Sequence, residues 1–300
     1  MNIFESENEI IIENLGHFDL RDTFECGQYL NFGKIGGGGF ETVAFGKYLR
    51  VYQRENRIYL ETSREDFENI WRRFFDLDRD YKKIFDILTR DKTVKKAADF
   101  CPGLRILRQD PFECLISFII SQNNNIPRIK KIIAKLCENF GEKIIVGHDD
   151  PGVPQIKTDA GSYPRRAEVV APYKFPTPAR LADLTLDDLA VIKSGFRAKY
   201  ILDAAKKINS GEIDLDLIYN MSADGGAEYL KKINGVGDKV SACVLLFGYN
   251  KLDAFPADVW IKKILAKYYP PDFDHKKTFG KYAGLANAYL FYYEREKEKR

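Results

Sequence analysis

The sequence predicts an α+β chain in which an N-terminal antiparallel β-sheet domain is followed by a mainly α-helical body. Three observations carry this reading. β-Branched and aromatic runs bounded by turn residues fill roughly the first sixty positions, apolar residues recur at helical spacing from Ser63 onwards, and the segments between the helical patterns are short.

Taken in order, segments 9–14, 29–35, 40–45 and 48–62 read as strands, with the glycine run 36–39 marking a turn between the second and third. Ser63 is placed as a helix N-cap with Glu65 close behind, and Phe67, Ile70, Trp71, Phe74 and Phe75 follow at helical spacing. Further helices are expected at about 111–121, 126–140, 186–193, 198–210, 227–233, 239–249, 257–268 and 276–296. Segment 147–172 departs from this pattern. Pro151, Pro154, Pro164 and Pro172, three glycines and few large apolar residues predict a long surface loop or an irregular hairpin there. The sequence contains no internal repeat, and the alternating charges of 294–300 read as a solvated, fraying helix end.

Composition excludes several classes of function. With 45% hydrophobic and 30% charged residues, the chain has the make-up of a soluble globular protein. Its longest apolar run, 240–249, contains Ser241 and Gly248 and falls short of the roughly 18 residues that span a bilayer. No membrane association is therefore expected. The acidic start, with Glu5, Glu7 and Glu9, lacks the basic opening of an export signal, so a cytoplasmic location is expected, nucleoid-associated in a prokaryote. Cys26, Cys101, Cys114, Cys137 and Cys243 are odd in number and form no C-x-x-C pair, which suits reduced thiols. His17, His148 and His275 lie far apart and offer no metal-ligand spacing, so no metal site is expected. The 47 basic residues exceed the 44 acidic ones by three, which permits an anionic partner without demanding one.

The most informative stretch runs from Tyr229 to Phe247. Two helical patterns are joined by Asn234-Gly235-Val236-Gly237, which is too short for anything but a tight hairpin. Such a turn aims successive backbone N–H groups outward at the start of the next helix, a concavity that suits one phosphate. A plain αα-corner carries the same pattern. Ile233, Val236 and Val240 would pin the hairpin to the core. Lys239 falls in the first turn of the second helix, where the macrodipole disfavours a cation, and it shares a stripe with Cys243 and Leu246. A lysine at the edge of an apolar face can be desolvated and made nucleophilic. Nineteen residues later, in Phe255-Pro-Ala-Asp258, Pro256 ends one segment and Asp258 caps or opens the next helix, which fixes its carboxylate.

Together, Gly235-Val-Gly-Asp-Lys239 and Phe255-Pro-Ala-Asp258 resemble the signature of the helix-hairpin-helix base-excision DNA glycosylases. The chain is similar, more narrowly, to the 8-oxoguanine DNA glycosylase/lyases. That narrower resemblance rests on Ser121-Gln-Asn-Asn-Asn-Ile-Pro-Arg128, on Gly195-Phe-Arg-Ala-Lys-Tyr200, on Tyr282-Ala-Gly-Leu-Ala-Asn-Ala-Tyr-Leu-Phe291 and on Cys26-Gly-Gln28, all in the family's order. The resemblance implies a DNA repair enzyme of the base excision repair class, acting on DNA damage as both hydrolase and AP lyase through a Schiff base. Its domains would be a sheet domain with its following helices over 1–105, a helix-hairpin-helix glycosylase domain over 106–275, and a C-terminal helix over 276–300 that returns toward the sheet domain. The partner would be double-stranded DNA containing oxidised guanine, bound by a monomer.

An enzyme acting on a stacked base must extrude it at a cost of a few kcal/mol, fill the gap and hold the orphaned partner. By similarity Asn123 enters the gap, Phe196 wedges beside the estranged base, Arg128 and Arg197 bond the estranged cytosine, and Gly235, Val236 and Gly237 hold a phosphate. Read without the resemblance, the asparagines 123–125 are a helix-terminating polar run and Arg197 is a surface charge. Oxidation at C8 gives guanine a hydrogen at N7, so one backbone carbonyl can distinguish the lesion from the normal base. Gly27 matches the glycine that supplies it, and a strand glycine allowing a bulge is the plainer reading. Cys243 and Phe291 match the pair that sandwiches the base. Asn287, one helical turn before Phe291, stands where a glutamine usually reads the Watson–Crick edge. Lys239 and Asp258 are the catalytic pair. Neither a cofactor nor a metal is needed for this chemistry, although a monovalent cation can bridge hairpin carbonyls and a phosphate. Trp260 stands where many members carry a histidine, trading a phosphate contact for packing, and loop 147–172 is longer than usual. No cysteine follows Cys243, which disfavours the iron–sulfur endonuclease-III branch. The alternatives are an alkylpurine glycosylase on the same fold, against which Lys239 argues, and a non-catalytic helix-hairpin-helix DNA-binding protein.

Overall fold

The structure, a computed structural model, describes residues 1–6, 9–144 and 172–298. Strands β1 (Asn2–Ser6), β2 (Glu9–Glu13), β3 (Phe32–Ile35), β4 (Gly39–Ala44), β5 (Lys47–Arg54) and β6 (Arg57–Glu61) form one antiparallel sheet in the order β1-β2-β6-β5-β4-β3. Alternation places Ile10 and Ile12, Leu49 and Val51, and Ile58 and Leu60 on its buried face. There they meet the helix that Ser63 caps, whose segments α2 (Arg64–Asp66) and α3 (Arg72–Phe74) flank a π turn and bring Phe67, Trp71 and Phe74 against the sheet.

Three expectations for this domain are corrected. Segment 48–62 is two strands rather than one, because Glu55 turns the chain with a φ of 52° between β5 and β6. Segment 29–35 is a strand only from Phe32, because Tyr29 points inward and its hydroxyl donates to the Val43 carbonyl at 2.7 Å. A short helix, α1 (Leu20–Glu25), interrupts the strand-rich part, opened by the Asp19 carboxylate, which accepts from Asp22 N at 2.8 Å. Gly27 therefore follows a helix and does not make a strand bulge.

The helical body opens with α4 (Tyr81–Leu88) and α5 (Lys92–Phe100), then α6 (Pro111–Ser121) and α7 (Ile126–Phe140), both with the predicted bounds. Asp110 and Asn125 cap them, each ahead of a proline in the first turn, the position that tolerates a missing N–H. The predicted loop 147–172 lies outside the described residues except for Pro172, although its flanks meet, Lys174 N donating to the Glu142 carbonyl at 2.8 Å. Next come α8 (Pro178–Ala182), α9 (Ala198–Asn209), α10 (Ala223–Leu230), α11 (Asp238–Phe247), α12 (Val259–Tyr268), α13 (His275–Phe279) and α14 (Ala283–Glu298).

Here too the expectations need adjusting. The segment expected at 186–193 is a short 3-10 turn, Asp188–Ile192, closed by left-handed Lys193. The helix expected at 227–233 starts earlier, at the Ser222 cap. The helix expected at 276–296 is broken at Gly280, whose φ of 54° ends α13 and lets α14 set off in a new direction.

Two buried side chains join the halves. Gln28 donates to the Thr23 and Arg105 carbonyls and accepts from Leu107 N, while Arg105 reaches the carbonyls of Gly16, His17 and Asp76. Near the end of the chain, Arg295 on α14 donates to the Cys26 carbonyl at 3.2 Å and also to that of Glu25. The last helix is thereby fastened to the turn that carries Gly27.

Candidate active site

Between α10 and α11 the chain reverses at Gly235, whose φ of 82° favours glycine. A Cβ at this position would lie 2.4 Å from the Tyr200 ring, so close packing against α9 also demands glycine. Asn234 donates from its backbone and its side chain to Asp203, both at 2.7 Å, and Lys207 donates to the Lys232 carbonyl. Ile233, Val236 and Val240 are buried beneath the turn, as expected. Gly237, extended at φ −105° and ψ −170°, is the N-cap of α11, so the first N–H groups of that helix open outward where a phosphate would meet them.

Lys239 stands two residues later and is half-buried. Its Nζ lies 3.2 Å from the Ser121 hydroxyl at the end of α6 and 4.8 Å from the centre of the Phe118 ring. One turn on, Cys243 is 2% exposed. Burial pushes its thiol up, the adjacent Lys239 pulls it down and the Asp258 carboxylate pushes it up again. Both candidate catalytic groups therefore act on the same sulfur. Asp258 is held as the N-cap of α12, its Oδ1 accepting from Ile261 N at 2.8 Å. Trp260, in the first turn of α12, is half-buried with Lys263 Nζ 5.9 Å from its ring centre.

The remaining pocket candidates come from α14 and the turn after α1. Asn287 is 5% exposed, and its Nδ2 donates to the Pro256 carbonyl at 3.1 Å, the same carbonyl that accepts from Asp258 N. Phe291 meets Gly27. A Cβ on Gly27 would lie 3.3 Å from the Phe291 ring and 2.7 Å from Arg295 Nη1, and the φ of 95° also favours glycine there. The carbonyls on both sides of Gly27 are held, Cys26 by Arg295 and Gln28 by Gln109 at 2.7 Å.

A second cluster sits at the turn between α6 and α7. Of the three successive asparagines, Asn124 donates to the Ile120 carbonyl and Asn125 caps α7, while Asn123 is exposed at a φ of 47°. Arg128 is exposed on the first turn of α7, and Phe196 is 50% exposed beyond left-handed Gly195. Arg197 is not the surface charge of the plainer reading, since it is only 3% exposed. Burial first and then the like charge of Arg128 lower its pKa. Its guanidinium also lies 4.5 Å from the centre of the Phe196 ring, so the four predicted DNA-facing residues share one locality.

Sequence reasoning passed over Ser121 as a partner of Lys239, the Pro256 carbonyl shared by Asp258 and Asn287, and Arg295 as the clamp beside Gly27. Ser121 and Pro256 lay inside the quoted motifs, but nothing in residue type revealed which atoms they would meet. Among the described residues no group of three or more His, Cys, Asp or Glu side chains is placed to hold a metal, and no helix is long and apolar enough to cross a membrane.

A sheet domain joined to a helical body, with a glycine hairpin opening onto a lysine and a helix-capping aspartate beyond it, is the architecture of a helix-hairpin-helix base-excision protein. Known proteins agree. Residues 10–115 match the family described as 8-oxoguanine DNA glycosylase, N-terminal domain, and residues 116–283 match the HhH-GPD superfamily base excision DNA repair proteins. The chain is 32% identical over 252 residues to a probable N-glycosylase/DNA lyase of Methanothermobacter thermautotrophicus, covering 78% of this chain and 76% of that one. It is 34% identical over 210 residues to the N-glycosylase/DNA lyase of Saccharomyces cerevisiae, covering 66% of this chain and 50% of the yeast protein. The crystal structure of Clostridium acetobutylicum 8-oxoguanine glycosylase/lyase, in complex with dsDNA containing cytosine opposite 8-oxoG, matches with a TM-score of 0.85 and 38% identity over 99% of both chains. The chain belongs to the HhH-GPD superfamily of base excision DNA repair proteins and, within it, to the 8-oxoguanine DNA glycosylase/lyases.

Proposed function

We propose that this protein extrudes 8-oxoguanine opposite cytosine from duplex DNA, excises it through a Schiff base on Lys239 and cuts the strand by β-elimination. The observation that carries this reading is the placement of Lys239, on the first turn after the glycine hairpin, with its Nζ 3.2 Å from the Ser121 hydroxyl and the buried Cys243 one turn further on. As a neutral amine, Nζ attacks C1′ while the bond from C1′ to the purine breaks. The base leaves with the electron pair and takes up a proton, the amine sheds one, and the sugar ring opens to an imine. Loss of a C2′ proton then expels the 3′ phosphate, and hydrolysis frees the lysine. Asp258 supplies negative charge to the oxocarbenium ion that develops at C1′.

The lesion is read at N7–H by the Gly27 carbonyl, with Cys243 and Phe291 on the two faces of the base and Asn287 at its rim. Asn123 and Phe196 occupy the vacated space, and Arg128 and Arg197 meet the estranged cytosine. The N–H groups of the 235–237 turn hold a phosphate beside the lesion. Residues 233–237 carry no acidic side chain, so a monovalent cation there would rest on backbone carbonyls and a DNA phosphate and would neutralise charge only. An alkylpurine glycosylase on this fold would have no use for an amine at Lys239.

Borohydride trapping on duplexes carrying 8-oxoguanine opposite cytosine tests the reading. A covalent protein–DNA adduct with release of the oxidised base is expected, whereas binding without adduct or release would mean a non-catalytic module.

A further inference from the structure

Arg295 stands on α14 four residues after Phe291, which itself stands four after Asn287, so the three share one stripe of the helix. Its side chain is buried, and its guanidinium is committed at both ends. Nη1 donates to the Cys26 carbonyl at 3.2 Å and Nη2 to that of Glu25, while Nε meets the Glu296 carboxylate at 3.2 Å and Nη2 meets it at 3.1 Å. Glu25 and Cys26 close α1, and a helix leaves its last carbonyls without an intrahelical donor, at the end that carries partial negative charge. A planar cation with parallel donors satisfies two of them at once.

The next residue is Gly27. A Cβ there would lie 2.7 Å from Arg295 Nη1 and 3.3 Å from the Phe291 ring, so guanidinium and ring lie side by side against one Cα. The guanidinium carbon is also 5.5 Å from the centre of that ring. One side chain therefore touches both the turn that aims the Gly27 carbonyl and the ring that covers a face of the base. Gly27 itself, with no Cβ and a φ of 95°, offers little resistance to rotation, so its direction must be set from outside.

We infer that Arg295 is a positioning residue for lesion discrimination, fixing the Gly27 carbonyl against Phe291 and thereby setting how strongly 8-oxoguanine is preferred to guanine. The inference rests on the proposed function and names the residue on which its specificity depends. A carbonyl held in place accepts from the N7–H of the lesion and repels the N7 lone pair of guanine. Hydrogen bonds weaken steeply with misalignment, so a carbonyl free to swing neither rewards the first base nor penalises the second. Attack of Lys239 on a sugar that has already lost its base does not involve this carbonyl.

The test compares wild type, Arg295→Met and Arg295→Lys in two assays. The first measures binding to duplexes with 8-oxoguanine or guanine opposite cytosine, the target sugar carrying a 2′-fluorine that withdraws charge from C1′ and blocks excision. The second is borohydride trapping on a duplex with a ready-made abasic site. Arg295→Met should narrow the preference for 8-oxoguanine over guanine by about tenfold, the scale of one well-made hydrogen bond, while abasic trapping stays within about twofold of wild type. Arg295→Lys, which keeps the charge but not the fork, should fall between the two. An unchanged preference overturns the inference, and so do equal losses in preference and trapping, because they mean a general structural role. If Arg295→Met melts below the assay temperature, Arg295→Lys carries the same comparison, and a wild-type preference in that variant overturns the inference. A wild type that neither prefers the lesion nor traps on the abasic duplex sinks the proposed function, and the inference with it.

Discussion

Replacing Asp258 by asparagine separates the charge of this residue from its scaffolding role. The Asp258 Oδ1 accepts from Ile261 N at 2.8 Å and closes the start of α12, and an asparagine Oδ1 can accept the same bond. What the helix loses is the attraction between a carboxylate and its N-terminus, about 0.3–1 kcal/mol. In a chain of this length that lowers Tm by about 1–4 °C. Asp258→Ala drops the capping bond too, a further cost of about 0.5–2 kcal/mol. Base excision should behave otherwise. Removing one group that stabilises charge in the transition state lowers rates by about a hundredfold or more, equivalent to about 2.7 kcal/mol of barrier. Both substitutions remove that charge, so both should fall to this level. The two variants therefore separate in thermal melting and coincide in single-turnover excision at saturating enzyme. If Asp258→Asn excises at nearly the wild-type rate while Asp258→Ala loses melting temperature and activity together, capping is the whole role of Asp258 and the electrostatic argument is refuted.

Lys239→Gln should still bind lesion duplex, because the hairpin N–H groups remain, but should form no borohydride adduct; an adduct at the wild-type rate would place the nucleophile on another amine. Arg128→Ala should narrow the preference for cytosine over adenine opposite the lesion by about 1–3 kcal/mol while barely weakening binding to undamaged duplex. Excision opposite all four bases checks this, and a wild-type enzyme indifferent to the opposite base would leave Arg128 as a phosphate contact. Stability should fall as pH rises from about 4.5 towards 8, because burial and then the nearby Asp110 push the Glu113 carboxyl up to about 8. With its folded pKa above the unfolded one, Glu113 contributes stability that is complete below the unfolded value and is lost as pH passes the folded value, at up to about 1.4 kcal/mol per unit. Glu113→Gln should flatten denaturation midpoints across that window, and an unchanged slope would show that Glu113 is ionised in the folded protein.

How much of this was legible in the sequence depended on whether the signal was periodic. The helices 111–121 and 126–140 announce themselves through apolar spacing and through a polar cap ahead of a proline, and both have the expected bounds. The hairpin, Lys239 and Asp258 were legible because Gly235, Gly237 and Pro256 mark the chain at fixed intervals. Helix α1 escaped because six residues give too few turns for a period to show, and β1 because its strand is mostly exposed. The turn at Glu55 carries no glycine or proline, so 48–62 looked continuous. The contacts of Arg197, Arg295 and Asn287 were illegible for a different reason. Their partners are main-chain carbonyls tens or hundreds of residues away, and a carbonyl has no residue type to read.

That last class of contact explains how the site can stand on turns at all. Gly27, Asn123, Gly195 and Gly235 all have positive φ, and they lie on four separate connections. A turn lacks the repeating bonds that hold a helix or strand in place, so something else must fix its position. Here that work falls to side chains bonding to backbone. Arg295 holds the turn of Gly27, Arg197 holds those of Asn123 and Gly195, and Asp203 and Lys207 hold that of Gly235. Each anchor projects from a helix, or from the short turn leading into one, and is placed by that packing. The helices therefore act on these turns at one remove, and a substitution at Arg295, Asp203 or Lys207 displaces a turn without touching a candidate site residue. Because a buried carbonyl left without its donor costs about 1–3 kcal/mol, such displacements carry a stability signature as well as a kinetic one. Melting and extrusion measurements made together on one variant can then distinguish an anchor from a residue that contacts the DNA.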